Sequence, residues 1–364
     1  MYDAVYSGKL SGNGKYTKFC QHFFEQRYGF KKSLLTTSCT DALEMAAILI
    51  DIQAGDEVIL PSYTFVSTAN AFVLRGAKLV FADSMSDNPN MDASTIEPLI
   101  TEKTKAIVPV HYAGVACEMD AIMALAKRHG LWVVEDAAQA IDSFYINEKG
   151  EKRALGSIGH LAAFSFHETK NIISGEGGML AINDDRFIER AEIIWEKGTN
   201  RSAFFRGEVD KYGWVDVGSS FLPSETIAAF LWAQLENLDV IQTRRKELWE
   251  TYASSLSDWA KANQVMLPAL PAYATNNAHM FYLVVPNLAA RTKLIDSLKK
   301  NEVLAVFHYL SLHSSQFYAA KHDGRILPNS DHFSDTLVRL PMFFDLSNKE
   351  IERICQIICD VEFK

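Results

Sequence analysis

The sequence predicts an α/β protein with a mostly parallel sheet, followed by a smaller α+β region. Between about residues 33 and 183, short apolar runs rich in β-branched residues alternate with helical segments. Because strands without polar alternation are buried on both faces, this pattern indicates a parallel sheet covered by helices. After prolines at positions 268, 271 and 286 the elements become shorter and mixed, which is typical of an α+β region.

The individual elements follow from the same pattern. The strands expected in the sheet are residues 57–60, 78–82, 106–110, 131–135, 161–165 and 179–182. The helices expected between them are residues 40–52, 67–75 and 119–129, the last ended by Gly130. A helix-rich connector, residues 224–259, precedes strands expected at 280–285 and 303–309 and helices expected at 291–301 and 348–361. We therefore expect a large domain, residues 1–238, and a connector with a small C-terminal domain, residues 239–364.

The composition narrows the class of protein. The chain has 364 residues, of which 48% are hydrophobic and 22% charged, so it can bury a large core. A net charge of −9 without a basic block argues against nucleic acid or an anionic membrane as the main partner. No apolar run is long enough to span a bilayer, and the first residues do not resemble a signal peptide. Five cysteines without a CxxC pair indicate reduced thiols, so we expect a cytoplasmic protein.

Polar residues follow several of the predicted strands. These residues are His111, Tyr112, Asp136, Gln139, Ser165, His167 and Lys170. Because ligands of parallel α/β sheets bind beyond the carboxyl ends of the strands, we expect these loops to meet in one crevice. Asp136 could cap a helix or form an ion pair with a protonated ring nitrogen of a cofactor. Lys170 could be a solvent-facing charge, or a nucleophilic amine if burial disfavours its charged form.

A second candidate site lies at the start of the helix after Thr37. Free N–H groups and the dipole at a helix N-terminus favour an anion such as phosphate, and Ser38 and Thr40 add hydroxyls. The same two residues could instead simply cap the helix. The glycine-rich segment 175–178 permits a tight backbone path and is equally compatible with an ordinary turn.

Taken together, these motifs resemble the DegT/DnrJ/StrS sugar aminotransferases, which are pyridoxal phosphate (PLP) enzymes of fold type I. The resemblance covers nearly the whole chain. The segments that carry it are residues 38–43, 61–70, 110–114, 135–139, 165–170 and 175–178. It implies that Lys170 binds PLP covalently and then acts as the general base, and that Asp136 keeps the pyridine nitrogen protonated.

The resemblance also implies further contacts to the cofactor and substrate. Cofactor-binding residues are expected to be Ser38, Cys39, Thr40, Phe65 (stacked on the ring), Asp136, Gln139, Ser165, His167, Lys170 and Ser220. Substrate-binding residues are expected to be His308, Tyr309 and His313. No metal is expected. Cys39 replaces the usual glycine of the phosphate loop, and Ser220 replaces the asparagine that reaches the neighbouring subunit's phosphate. The chain also starts somewhat inside the usual family N-terminus.

Within the family, four segments most resemble one branch: residues 165–171, 196–202, 277–283 and 307–309. Its members transfer an amino group from L-glutamate to C4 of dTDP-4-keto-6-deoxyglucose for enterobacterial common antigen. We therefore expect a homodimer with shared active sites. Alternatives are an enzyme making a 3-amino or equatorial 4-amino sugar, a PLP-dependent lyase or dehydratase, and a non-catalytic PLP-binding regulator. Lys170 argues against the family's dehydratases, in which histidine replaces the lysine, and together with Asp136 it argues against the regulator.

Overall fold

The computed structural model describes residues 1–363. Within these residues the strands are β1 (Lys32–Thr36), β2 (Glu57–Pro61), β3 (Lys78–Ala82), β4 (Thr104–Ile107), β5 (Trp132–Asp136), β6 (Phe144–Ile146), β7 (Lys152–Ala154), β8 (Leu161–Ser165), β9 (Gly178–Ile182), β10 (Tyr282–Val284), β11 (Val306–Phe307) and β12 (Leu337–Arg339). The α-helices of the same residues are α1 (Tyr2–Tyr6), α2 (Lys15–Tyr28), α3 (Cys39–Leu49), α4 (Val66–Val73), α5 (Met119–His129), α6 (Ile188–Trp195), α7 (Arg201–Phe205), α8 (Glu225–Leu235), α9 (Leu238–Ala262), α10 (Leu288–Lys300), α11 (Pro328–Thr336) and α12 (Asn348–Cys359).

The largest sheet has seven strands in the order β1-β9-β8-β5-β4-β2-β3. The pairs from β8 to β3 are parallel, whereas β9 runs antiparallel to both β1 and β8. Strands β2, β8 and β9 are buried along their whole length, as expected for a sheet covered by helices on both faces. The predicted α/β class with a mostly parallel sheet is confirmed.

The C-terminal region is built around a three-stranded antiparallel sheet in the order β10-β12-β11. A separate apolar core joins this sheet to the long helix α9 and to α10 and α12. Its fully buried members include Leu248, Phe281, Leu294 and Ile351. The last helix begins with a capping box formed by Ser347 and Glu350, which fixes its first turn.

Several predicted boundaries change in the structure. The strand expected at 106–110 is β4, which ends at Ile107, and Val110 forms only an isolated bridge with Asp136. The strand expected at 303–309 shrinks to β11, and the two residues after it, His308 and Tyr309, form side-chain hydrogen bonds with Tyr112 and Gln139. The connector is two helices, α8 and α9, separated at residues 236–237.

The sequence patterns also miss several elements. These are the helices α1, α2, α6, α7 and α11, the strands β1 and β12, and the β6–β7 hairpin. Helix α5 and its C-terminal Gly130, which has the left-handed φ of 67°, match the prediction. In the part of the chain that the structure describes, no helix combines the length and apolarity needed to cross a membrane.

Candidate active site

A cavity of about 600 Å³ lies where the loops after β1, β2, β5 and β8 meet residues of the C-terminal sheet. The predicted residues that line it are Ser38, Cys39, Thr40, Phe65, Asp136, Gln139, Ser165, His167, Lys170, His308 and Tyr309. The loops after β5 and β8 meet at this cavity as expected, whereas His111 and Tyr112, which were also expected there, do not line it. The role of each side chain stays a prediction at this point.

Lys170 follows β8 in a tight turn and is only partly exposed. Its backbone N–H donates to the carbonyl of His167 at 2.9 Å. Burial lowers the pKa of the Lys170 amine from its usual 10.5, and the positive charge of Arg339 lowers it further. The negative charge of Asp136, and that of a Cys39 thiolate, act in the opposite direction and raise the pKa of Lys170. The amine is thus closer to its neutral, nucleophilic form than a surface lysine would be.

Asp136 ends β5 and its side chain is buried. One carboxylate oxygen accepts a hydrogen bond from Thr68 Oγ1 at 2.6 Å, and the other accepts one from the N–H of Ala138 at 3.1 Å. Burial raises the pKa of Asp136, while the Thr68 and Ala138 hydrogen bonds oppose the increase. These two donors hold the carboxylate in one orientation and leave it able to accept from a cationic ligand atom.

The N-terminus of α3 reaches the same cavity. Ser38 Oγ accepts from the N–H of Asp41 at 3.0 Å, so the capping function considered for Ser38 is present. Thr40 instead donates to Ser67 Oγ on α4 at 2.8 Å. The remaining first-turn N–H groups of α3 have no acceptor within their helix and can bind an anion.

Gly178, the first residue of β9, brings that strand into contact with the start of α3. A Cβ atom at this glycine would lie 2.3 Å from the carbonyl carbon of Ser38 and 2.4 Å from the N atom of Cys39. Only a residue without a side chain therefore allows the Ser38–Cys39 peptide to lie against the sheet edge. This contact fixes the helix N-terminus beside the cavity.

The aromatic side of the cavity contains Phe65 and Tyr309. Phe65 is 54% exposed, and its ring centroid lies 5.9 Å from that of Tyr309. Gln139 Oε1 accepts from the N–H of Ala113 at 2.6 Å, and Gln139 Nε2 donates to Tyr309 Oη at 3.1 Å. The amide of Gln139 is therefore engaged with protein groups and connects the large sheet to the C-terminal region.

His308 and Arg339 lie together at the C-terminal side. Arg339 Nη1 is 3.2 Å from His308 Nε2, and because a guanidinium only donates, Nε2 is the acceptor. His308 must then carry its proton on Nδ1, which lies 2.9 Å from Tyr112 Oη. Burial, with the charges of Arg339 and Lys170, lowers the pKa of His308 to about 2. His308 is neutral in this arrangement.

Four residues that were expected in the crevice do not line the cavity. Two of them, His111 and Tyr112, are buried, and His111 Nε2 lies 2.8 Å from Glu135 Oε2. His313 is buried, with its Nδ1 atom 2.8 Å from Ser62 Oγ and its Nε2 atom 3.6 Å from Asp331. Ser220 is exposed and forms an isolated bridge with Glu196 on another surface. His167 does line the cavity, but its Nδ1 atom is 3.0 Å from Thr169 Oγ1, so the turn itself holds it.

The sequence interpretation missed Thr68, His279 and Arg339. Thr68 lies inside the segment 61–70 that supported the family resemblance, one helical turn after Phe65, so its position was available as a signal. His279 lies inside segment 277–283 in the same way. Nothing in the sequence indicated that Arg339 lies at the cavity, because the strand that places it there, β12, was not predicted.

Comparison with known proteins then identifies the family. Residues 1–359 match the DegT/DnrJ/EryC1/StrS aminotransferase family. The chain belongs to this family. It is a PLP-dependent sugar aminotransferase of fold type I, which confirms the family, fold class and cofactor predicted from the sequence.

Individual proteins are similar to this chain over almost its whole length. MJ1066 of Methanocaldococcus jannaschii is 31% identical over 358 residues, which cover 96% of this chain and 90% of that protein. The aminotransferase TlmJ of Streptoalloteichus hindustanus is 28% identical with a TM-score of 0.88, covering 98% of this chain and 93% of that one. PseC of Helicobacter pylori, an aminotransferase involved in the biosynthesis of pseudoaminic acid, is 25% identical with a TM-score of 0.87 over 98% of this chain and 93% of its own.

The cavity of this family member fits PLP in three respects. The start of α3, held against Gly178, offers N–H groups to a phosphate. The buried carboxylate of Asp136 can pair with a protonated ring nitrogen. Lys170 supplies an amine whose pKa is lowered by burial. These groups line one cavity.

Proposed function

We propose that this protein transfers the amino group of L-glutamate to C4 of dTDP-4-keto-6-deoxy-D-glucose. The product would be dTDP-4-amino-4,6-dideoxy-D-galactose, for synthesis of a surface polysaccharide such as enterobacterial common antigen. The observation that carries the proposal is that Lys170 and Asp136, the amine and carboxylate that transamination needs, line one cavity. The choice of sugar is supported by segments 165–171, 196–202, 277–283 and 307–309.

In this proposal Lys170 and Asp136 have distinct tasks. When bound, PLP supplies an electron sink for the electron pair left on a carbon that loses its proton. Asp136 holds a proton on the pyridine nitrogen through its buried carboxylate, which Thr68 and Ala138 orient. Lys170 holds the cofactor through Nζ, and after the donor amine releases it, Nζ accepts the proton from Cα of glutamate. In the second half of the reaction, Nζ returns a proton to C4 of the sugar.

The C-terminal side of the cavity would hold the sugar nucleotide. His308 and Tyr309 line the cavity and face the residues around Lys170. Tyr309 offers a hydroxyl hydrogen beside an apolar ring face, which suits a hydroxylated sugar ring, whereas both ring nitrogens of His308 are engaged by Arg339 and Tyr112. Neutral His308 adds no positive charge there. His313 acts in this proposal only through Ser62, by supporting the loop after β2.

We propose that the active species is a homodimer in which Ser220 serves the neighbouring subunit's site. Ser220 is exposed and follows a surface segment with several exposed apolar side chains. These are Phe205, Tyr212, Trp214, Val215 and Val217, which are 69%, 52%, 85%, 55% and 45% exposed. Large exposed apolar side chains grouped in one segment are typical of an interface between subunits.

A product analysis tests the proposed substrate. The purified protein is incubated with L-glutamate and dTDP-4-keto-6-deoxy-D-glucose, and the sugar product is examined by NMR. We expect an axial amino group at C4, as in the galactose configuration. An equatorial C4 amine, or no aminated sugar, would contradict the substrate assignment.

A further inference from the structure

Asp136 is the end point of a row of hydrogen bonds that begins at Thr64. Thr64 and Thr68 are both buried, and both line the cavity. Thr68 Oγ1 donates to Asp136 Oδ2 at 2.6 Å, and Thr64 Oγ1 lies 2.9 Å from Thr68 Oγ1. The two hydroxyls and the carboxylate are therefore linked in a single hydroxyl row.

The direction of the hydroxyl row depends on the charge of Asp136. An ionised carboxylate only accepts hydrogen bonds, and each threonine hydroxyl has one hydrogen to donate. When Asp136 is ionised, Thr68 therefore donates to Asp136 and Thr64 donates to Thr68. A proton on Asp136 Oδ2 would turn both hydroxyls around. Thr64 Oγ1 has no other hydrogen-bond partner among residues 1–363, so its hydrogen would then lack a protein acceptor.

Burial and hydrogen bonding act on Asp136 in opposite directions. Burial raises the pKa of the carboxyl and so favours its neutral form. The hydrogen bond from Thr68 is the strongest of the influences that lower the pKa of Asp136, followed by that from the N–H of Ala138. The hydroxyl of Thr68 is therefore the main group that opposes protonation of this buried carboxyl.

Thr68 differs from other helical threonines in where its hydroxyl donates. Threonine hydroxyls in helices commonly donate to the carbonyl four residues earlier. Four threonines of this chain do so, namely Thr243, Thr251, Thr292 and Thr336. Thr68, in the first turn of α4, instead donates to a carboxylate at the end of β5. Its hydroxyl is thus committed to Asp136 and not to its own helix.

The first turn of α4 is itself held in place at the cavity. Phe65 is the N-cap residue of the helix, and its carbonyl accepts from the N–H of Thr68 at 3.2 Å. Ser67 Oγ accepts from Thr40 Oγ1 at 2.8 Å, which joins the same turn to the start of α3. These contacts fix the backbone of the turn and with it the position of the Thr68 hydroxyl.

We propose that Thr64 and Thr68 are positioning residues that keep Asp136 ionised, so that Asp136 can hold a proton on the ring nitrogen of PLP. This inference rests on the proposed function, in which that proton is needed. A buried carboxyl without the Thr68 hydrogen bond would take up a proton more readily and would then attract a pyridinium nitrogen less strongly. Because the hydroxyls act through Asp136, their loss should affect proton transfer more than the binding of glutamate.

The proton on the ring nitrogen is the direct readout. The protein is loaded with PLP whose ring nitrogen is isotopically labelled, and nitrogen NMR distinguishes a protonated from an unprotonated pyridine. We expect a protonated nitrogen in wild type. Thr68→Val keeps the shape of the side chain but lacks the hydroxyl, so its resonance should move toward that of an unprotonated pyridine. Thr68→Ser restores the hydroxyl and should give the wild-type resonance.

Steady-state kinetics with L-glutamate give a second readout. We expect kcat to fall about 10- to 100-fold in Thr68→Val, because the lost hydrogen bond went to a charged group, and the KM for L-glutamate to change little. Thr64→Val should move the resonance and kcat in the same direction but by less, because Thr68 can still donate to Asp136.

The matched control is Thr17→Val. Thr17 is a buried threonine whose hydroxyl also donates to a buried carboxylate, that of Glu225, but it does not line the cavity. This variant removes the same kind of hydrogen bond elsewhere in the protein. It should keep the wild-type resonance and the wild-type kcat.

The outcomes separate this inference from the proposed function. A ring nitrogen that is as protonated in Thr68→Val as in wild type would overturn the inference, regardless of kcat. If Thr68→Val does not fold, Thr64→Val carries the test, and an unmoved resonance in that variant overturns the inference. An unprotonated nitrogen in wild type would refute the role of Asp136 and the inference together. If wild type holds the proton but aminates no sugar, the proposed function fails, and the labelled nitrogen still tests Thr68.

Discussion

At the scale of single residues, Lys170 differs from a surface lysine through burial and the nearby charge of Arg339. Both lower its pKa below 10.5. Covalent binding of PLP needs the neutral amine, whose fraction rises as pH increases through the pKa of the folded protein. The rate of PLP binding to the cofactor-free protein should therefore rise with pH and level off clearly below pH 10.5.

Stopped-flow absorbance between about pH 6 and 10 measures this profile. In Arg339→Gln the loss of a positive charge should move the midpoint to higher pH, because the charged amine is less disfavoured. A wild-type midpoint equal to that of a free lysine side chain would show that the cavity does not perturb Lys170.

Asp136 makes a second prediction at this scale. In Asp136→Asn the shape and the hydrogen bond from Ala138 can persist, but a neutral amide no longer holds a proton on the pyridine nitrogen. We expect the variant to bind PLP and to lose about 100- to 1,000-fold in kcat. Steady-state kinetics with glutamate measure the loss, and Asp184→Asn, at a site paired with Arg186, serves as the control. Near-normal turnover in Asp136→Asn would refute the role.

Residue-level prediction from the sequence depended on the family motifs. Local patterns alone left two interpretations for each of Lys170 and Asp136, one structural and one functional. The structure adds that both side chains line the same cavity. Arg339 and the pairing of Thr68 with Asp136 were out of reach, because they depend on contacts between segments distant in sequence. His313 followed the family segment, but its side chain turns toward Ser62 and away from the cavity.

At the scale of elements, the contact between β9 and the start of α3 is the feature most sensitive to a single atom. Gly178→Ala would place Cβ 2.3 Å from the carbonyl carbon of Ser38, so the helix N-terminus must shift. We expect a loss of about 1–3 kcal/mol in the free energy of unfolding, together with weaker PLP binding.

Denaturant unfolding and PLP titration measure the two effects of Gly178→Ala. The matched control is Gly213→Ala, because no atom lies within 4 Å of a Cβ at that glycine. If Gly178→Ala binds PLP as tightly as wild type, the start of α3 does not hold the phosphate.

Elements with a regular hydrophobic pattern were predicted most accurately from the sequence. The apolar runs of β3 and β8 and the amphipathic pattern of α5 gave their bounds directly from sequence. Strand β12 has three residues and joins α11 without a break, so neither length nor turn residues marked it. It becomes a strand because β10 and β11 pair with it, and this tertiary pairing also places Arg339.

At the scale of the whole molecule, the proposed homodimer gives a prediction. Phe204 packs against Phe205 and Tyr212, at ring distances of 5.6 and 5.5 Å, beside the exposed Trp214. We expect Trp214→Glu to dissociate the dimer and to lower activity, because burying a charge in an apolar interface is unfavourable. Light scattering with activity measurements tests this. Leu304→Glu, at a 79% exposed leucine of the C-terminal region, should remain a dimer. An active wild-type monomer would reject the shared site.

The central claim is that Lys170 carries out amino transfer in this cavity. The most direct measurement follows the cofactor's colour change and the formation of 2-oxoglutarate when L-glutamate is added to wild type, Lys170→Ala and the surface control Lys127→Ala. We predict that wild type and Lys127→Ala change colour and form the keto acid, whereas Lys170→Ala binds PLP weakly and forms none. Formation of 2-oxoglutarate by Lys170→Ala at the wild-type rate would contradict the claim.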